Sequence, residues 1–179
     1  MRSRKNSAED LIINPAAGDY MGIIRLQMVQ EDAFPYGDQR VSDAAAAAKM
    51  AYPLFARADR EMMAVLSVNS SMQPLAFEIV AVGGINTCYV DMKNMFKHAI
   101  LNNAGNIICF HNHPGGSHLP SKEDRKITEK IQKAGELLDI RLVDHIILCD
   151  DCYYSFCRKG AFHYEGWGTE EEGGDISYV

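Results

Sequence analysis

At 179 residues, 47% of them hydrophobic, the chain can bury one sizeable core and is too short for two comfortable domains. No apolar run approaches the length of a bilayer crossing, and Met1-Arg2-Ser3-Arg4-Lys5 is not followed by the apolar segment of a signal peptide, so a cytoplasmic protein with no membrane role is expected. Five cysteines, an odd number below the density of a disulfide scaffold, fit a reducing compartment.

Most of the net charge of -6 sits in the five acids of the last fifteen residues, which contain no base. The body is nearly neutral. Only Arg2, Arg4 and Lys5 cluster, so tight direct binding of nucleic acid through phosphate contacts is not expected.

In chain order, residues 1–20 read as a disordered N-terminal segment with a weak apolar patch at Leu11 to Ile13. A single domain is expected over 21–163, and an acidic, Gly-rich tail over 164–179. Ile23 to Val29 suits an initial edge strand. Ser42 is placed to cap a helix through the alanine run, which Pro53 ends or kinks. Apolar runs predict strands at Ala64 to Val68 and Leu75 to Val82. A helix from about Met92 presents Met95, Phe96, Ala99 and Ile100 on one face, with Gly105 as its C-cap. Asn106 to Phe110 reads as a buried strand, and residues from Ser121 onward become helical.

The stretch joining that strand to that helix carries the chemistry. His111 and His113 leave the strand end on the same face, because residues two apart in an extended chain point the same way. Pro114, Gly115 and Gly116 then let the backbone turn sharply. A carboxylate, Asp124, follows eleven positions after His113 and lies in register with Ile127, Ile131, Ala134 and Leu138 on the apolar stripe of the helix. A buried carboxylate needs a partner, and a metal ion held by the two imidazoles would provide it. Three protein ligands leave one coordination position open, the mark of a catalytic zinc site. Without a metal, Ser121 and Asp124 also read as a capping box.

The segment HNHPGGSHLPSKED resembles the JAMM motif of JAB/MPN metalloproteases, most closely the RadC-like branch. Asp59-Arg60-Glu61, Val90-Asp91, Ala134-Gly135 and the run Leu142 to Ile147 extend the resemblance over roughly Arg40 to Phe156. It implies an α/β fold of the JAB/MPN kind, similar to that of cytidine deaminases, with a mixed sheet flanked by helices. It also implies a zinc-dependent peptidase or isopeptidase holding one Zn2+ per chain and acting on a peptide or protein substrate. In that family's terms His111, His113 and Asp124 match the zinc ligands, Ser121 the residue that stabilises the oxyanion, and Glu61 the general base. Glu78, an acid inside an apolar strand, is the rival base. The alternative function is a catalytically idle JAB-fold module serving DNA repair or DNA metabolism through partner binding. The sequence is silent on oligomeric state.

Three further features stand beside the motif. RadC-like chains commonly read HNHPSGDPTPS, whereas this loop carries Gly115, Ser117, His118 and Leu119, which adds a third imidazole. Cys149 and Cys152 flank Asp150-Asp151 and read as the shoulders of a hairpin turn rather than a metal or redox pair, because no second C-x-x-C accompanies them. Asp144 and His145 interrupt an apolar strand and face opposite ways, so one of them at most can orient a ligand imidazole.

Overall fold

The apolar runs between residues 40 and 156 become strands and the amphipathic stretches become helices, as a computed structural model shows. It describes residues 40–56, 58–83, 90–114, 116–149 and 152–167. The readings made for residues 1–20, for Ile23 to Val29 and for 168–179 lie outside the described residues. The described elements are α1 (Ala44–Phe55), β1 (Met62–Val68), β2 (Pro74–Val82), α2 (Met92–Leu101), β3 (Asn106–Asn112), α3 (Lys122–Leu138), β4 (Arg141–Leu148) and β5 (Tyr153–Ser155). They form one mixed sheet of order β2-β1-β3-β4-β5, in which β3 and β4 are parallel and the other neighbours antiparallel. The expected α/β architecture, a mixed sheet flanked by helices, is the one observed. Among the described residues no helix is long and apolar enough to cross a membrane.

Strand alternation splits the core into two layers. Ala64, Leu66 and Val68 of β1 and Ile108 and Phe110 of β3 pack against α1. Met63 and Val65 of β1 and Ile107 and Cys109 of β3 face the other way, against Met95, Phe96 and Ala99 of α2 and Ile131 of α3. Continuing these alternations by two residues puts Glu61 and His111 on the α2/α3 side. A bulge in β4 skips Val143 opposite the Ile107/Ile108 step. Asp144 therefore points toward the α1 layer and His145 toward α3.

Several helix ends differ from expectation. The N-cap of α1 is Asp43, whose carboxylate accepts from the Ala46 N–H at 2.8 Å, while Ser42 only donates its hydroxyl to Asp43. Pro53 lies inside α1, two residues before its end, and removes the N–H that would bond the Lys49 carbonyl one turn back. The turn after α2 is made by Asn103, at φ 52°, with the Ala104 N–H returning to Ala99. Gly105 instead starts the approach to β3 and donates to Val68. Ile100 and Leu138 are 52% and 42% exposed, so the buried faces are narrower than the periodicity suggests. In α3 those positions are taken by Thr128, Ile131 and Gly135. Gly135 has no room for a side chain, since a Cβ there would meet the Ile140 carbonyl oxygen at 2.3 Å.

The domain runs past residue 163. Tyr164 packs on the α1 layer and donates to Asn106 Oδ1 at 2.9 Å, and Trp167 is buried in the same layer. Its indole N–H donates to Asp144 at 2.9 Å. An aromatic ring with a buried acceptor is a strong anchor, which the acidic composition around it conceals.

Candidate metal centre

β3 delivers His111 and His113 to its C-terminal end, where the parallel neighbour β4 also ends and the chain must turn away. The first residues of α3 lie directly opposite. His111 Nε2 is 2.9 Å from His113 Nε2, 3.3 Å from Asp124 Oδ1, and His113 Nε2 is 3.4 Å from Asp124 Oδ2. The three sequence-predicted ligands thus converge on one point, as a group able to hold a metal ion. The capping box is formed as well: Ser121 Oγ accepts from the Asp124 N–H at 3.0 Å, and Asp124 Oδ2 accepts from the Ser121 N–H at 2.7 Å. The cap orients the carboxylate toward the imidazoles, so the two readings of Asp124 describe one arrangement.

Hydrogen bonding determines which ring nitrogens carry protons. His113 Nδ1 lies 2.7 Å from the Ser117 carbonyl, which can only accept, so Nδ1 donates and Nε2 presents a lone pair. On the other side, Thr128 Oγ1 donates its only proton to the Asp124 carbonyl at 2.6 Å. It must then accept from His145 Nδ1 at 2.7 Å, leaving His145 Nε2 to accept from His111 Nδ1 at 2.8 Å. His111 Nε2 is left as a lone pair aimed at His113 and Asp124. Burial pushes the His145 pKa well below its usual value, which agrees with a neutral ring in this chain. His145 also stacks on Phe156, with centroids 5.0 Å apart, so the relay is held by packing too.

Two imidazole lone pairs and a carboxylate at such distances repel one another unless a positive charge lies among them. The electrostatics of the cluster agree. The hydrogen bond that a protonated His113 ring donates to Asp124 raises the His113 pKa, with Glu61 contributing further. Burial alone would raise Asp124, but the two imidazoles, which bond and attract the carboxylate once a proton sits on their Nε2 atoms, outweigh it and hold the carboxyl far below its usual range, so a positive charge is favoured where the three groups meet. Neutral imidazole nitrogens with one carboxylate are an ordinary donor set for zinc.

Glu61 lies just before β1. The β1–β3 register pairs Met63 with His111, and continuing it by two residues brings Glu61 opposite His113. Asn112 brackets this position from β3: its Oδ1 accepts from the Met62 N–H at 2.8 Å and its Nδ2 donates to the Arg60 carbonyl at 3.1 Å. The rival, Glu78, lies elsewhere. It pairs with Val65 on β2 and sits 4.0 Å from His98, where burial raises its pKa. Ser121 is exposed, and its cap uses only an acceptor lone pair, leaving the hydroxyl proton available.

A sequence model of the RadC-like JAB domain matches residues 41–161. The chain belongs to that family. Similar proteins include a UPF0758 protein of Flavobacterium johnsoniae, 38% identical over 110 residues that make up 62% of this chain and 48% of the relative. One from Chlorobium chlorochromatii is 32% identical over 76% of this chain and 55% of its own length, and one from Thermotoga maritima 37% identical over 57% and 46%. This RadC-like chain therefore spans about half the length of the curated relatives it matches.

Within this RadC-like domain, Asn112 and Thr128 escaped the sequence reading. Asn112 stood in view between two ligands, and Thr128 is four residues from Asp124, one helical turn on. Asp144 does not orient a ligand: besides Trp167 it accepts from the Ser155 hydroxyl, the Cys157 N–H at 3.0 Å and the His145 N–H at 2.8 Å. Cys149 and Cys152 are joined by a disulfide, against the expectation that they serve only as the shoulders of a hairpin turn in a reducing compartment, and Asp150-Asp151 between them lie outside the described residues.

Proposed function

We propose that this chain is a zinc-dependent metallopeptidase or isopeptidase, in which His111, His113 and Asp124 hold one Zn2+ and Glu61 is the general base. The observation that carries the reading is the convergence of two proton-free imidazole nitrogens and one carboxylate, each fixed from behind by a partner. A zinc ion in that cluster would leave a fourth position for water, lower the pKa of that water to about 7 and polarise a carbonyl.

The remaining work falls to this chain's own residues. Glu61, held opposite His113 by the Asn112 clamp, takes a proton from the attacking water and later delivers it to the leaving amine. Ser121 turns its free hydroxyl proton toward the oxyanion that forms on the scissile carbonyl. His145 and Thr128 keep the His111 tautomer fixed while charge at the centre changes. An amide bond requires an activated nucleophile, oxyanion stabilisation and a protonated leaving group, and each role has a candidate here.

The test is a screen of peptide-linked and isopeptide-linked substrates with the zinc-loaded and the chelated protein. Hydrolysis that disappears on chelation and returns with zinc is the expected result. Full zinc occupancy with no hydrolysis across such a panel would turn the assignment toward a metal-bearing scaffold.

A further inference from the structure

We propose a second metal site, formed by Cys149, Cys152 and His118, that binds a soft divalent cation of the zinc class when the two cysteines are reduced. The three side chains come from two separate segments. Cys149 directly follows β4 and is buried, Cys152 precedes β5 and is half-buried, and His118 is exposed on the loop between His113 and Ser121. Their ligand atoms all lie within 4.8 Å of one another. Donor atoms of a tetrahedral zinc site, with bonds of about 2.0 to 2.3 Å, stand roughly 3.3 to 3.8 Å apart. To reach that spacing the two sulfurs, bonded to each other in the structure, separate on reduction and the imidazole keeps to within a bond length or so of its present place.

A backbone hydrogen bond also draws the two cysteines together. The Cys149 N–H donates to the Cys152 carbonyl at 3.0 Å, and the two Cα atoms are 5.3 Å apart. In the structure these sulfurs form a disulfide and have no thiolate to offer. A phosphine supplies two electrons and breaks the S–S bond; water gives its oxygen to the phosphine oxide and its two protons to the sulfurs, leaving two thiols. Their two protons pass to solvent as the cation binds. A turn of this kind needs neither thiols nor an imidazole, and a disulfide gains nothing from a histidine. All three together are a donor set, and the exposed side of His118 leaves space for water as the fourth ligand.

The site adjoins the first centre without sharing a ligand with it. The His113 N–H donates to the Leu148 carbonyl at 3.2 Å, one residue before Cys149, and the Ser117 carbonyl beside His118 accepts from His113 Nδ1. A cation here would clasp the loop leading to Ser121 against the β4–β5 turn. The proposal does not rest on the first centre being loaded or catalytic.

Cobalt(II) titration of the full chain after phosphine reduction, under argon, tests it, because thiolate ligation gives a near-ultraviolet charge-transfer band that a His/His/Asp site cannot produce. Reduced wild type and His113→Ala should both develop the band, which in His113→Ala should saturate at about one cobalt per chain. Oxidised protein and the double variant Cys149→Ser/Cys152→Ser should not. His118→Ala should weaken cobalt binding by about tenfold or more, at least the loss seen when an outer partner of a ligand is removed. Should the double variant fail to show native circular dichroism, Cys152→Ser alone, at the less buried position, replaces it. Absence of the band in natively folded reduced wild type would overturn the proposal and leave the pair a redox couple only. Unchanged cobalt affinity in His118→Ala would overturn it equally.

Discussion

His111 Nδ1 and His145 Nε2 lie 2.8 Å apart, and His145 Nδ1 is 2.7 Å from the Thr128 hydroxyl, itself bonded to the Asp124 backbone. This chain of contacts ties one proposed ligand to another through the interior of the domain. His145→Phe keeps the ring stacked on Phe156 but leaves His111 Nδ1 without its acceptor. Zinc affinity, measured by competition with a chromogenic chelator, should fall about 10- to 100-fold. Affinity equal to wild type would mean that the relay does not orient the ligand.

Glu61 is the residue that distinguishes an enzyme from a scaffold. Glu61→Gln should retain zinc while turnover on any substrate found drops about a hundred- to ten-thousand-fold. Asn112→Ala should lower turnover while leaving zinc in place, since it releases the strand on both sides of Glu61 without touching a ligand nitrogen. Undiminished hydrolysis by Glu61→Gln would remove it as the base and make Glu78 the next candidate.

Trp167 makes the end of the described chain structural. Truncation after Tyr164, or Trp167→Ala, should cost about 3 to 5 kcal/mol in denaturant unfolding, the range for a large buried aromatic. A loss within about 0.5 kcal/mol would show that the aromatic anchor contributes little beyond an ordinary surface position.

Asp144 gives stability a pH dependence of unusual sign for a carboxylate. Burial raises its pKa to about 6, against the hydrogen bonds from Ser155, Cys157, Trp167 and His145 that oppose the shift. An unfolded aspartate titrates near 3.9, so between about pH 4 and pH 6 the folded chain holds a proton that the unfolded chain has lost. Folded stability from this group is therefore present at the acid end of the window and declines as pH rises through it. The stability difference between wild type and Asp144→Asn should fall by on the order of 2 kcal/mol across that window. A difference that stays flat or rises would contradict it.

Much of this was legible before any coordinates. The β3 strand, the turn after it and the α3 helix followed from local apolar periodicity and from Pro114 with its glycines, and two-residue alternation already placed His111 and His113 on one face. What escaped depends on tertiary neighbours. Thr128 reads as an unremarkable helix residue until His145 arrives from β4, and the opposite facing of Asp144 and His145 was foreseen while their partners were not. Trp167 was hidden by the acids and glycines around it, because composition averages away a single anchor. Ser42 and Gly105 are residue types that caps favour, whereas Asp43 and Asn103 have the backbone positions that these helix ends require.

The central claim rests on the three converging ligands, and zinc content measures it most directly. Elemental analysis should be made on the full chain carrying Cys149→Ser and Cys152→Ser, so that the thiol site contributes nothing. After mild chelation and dialysis this protein should retain about one zinc per chain, and adding His113→Ala should remove most of it. Equal zinc in the two proteins, or none in either, would contradict the account.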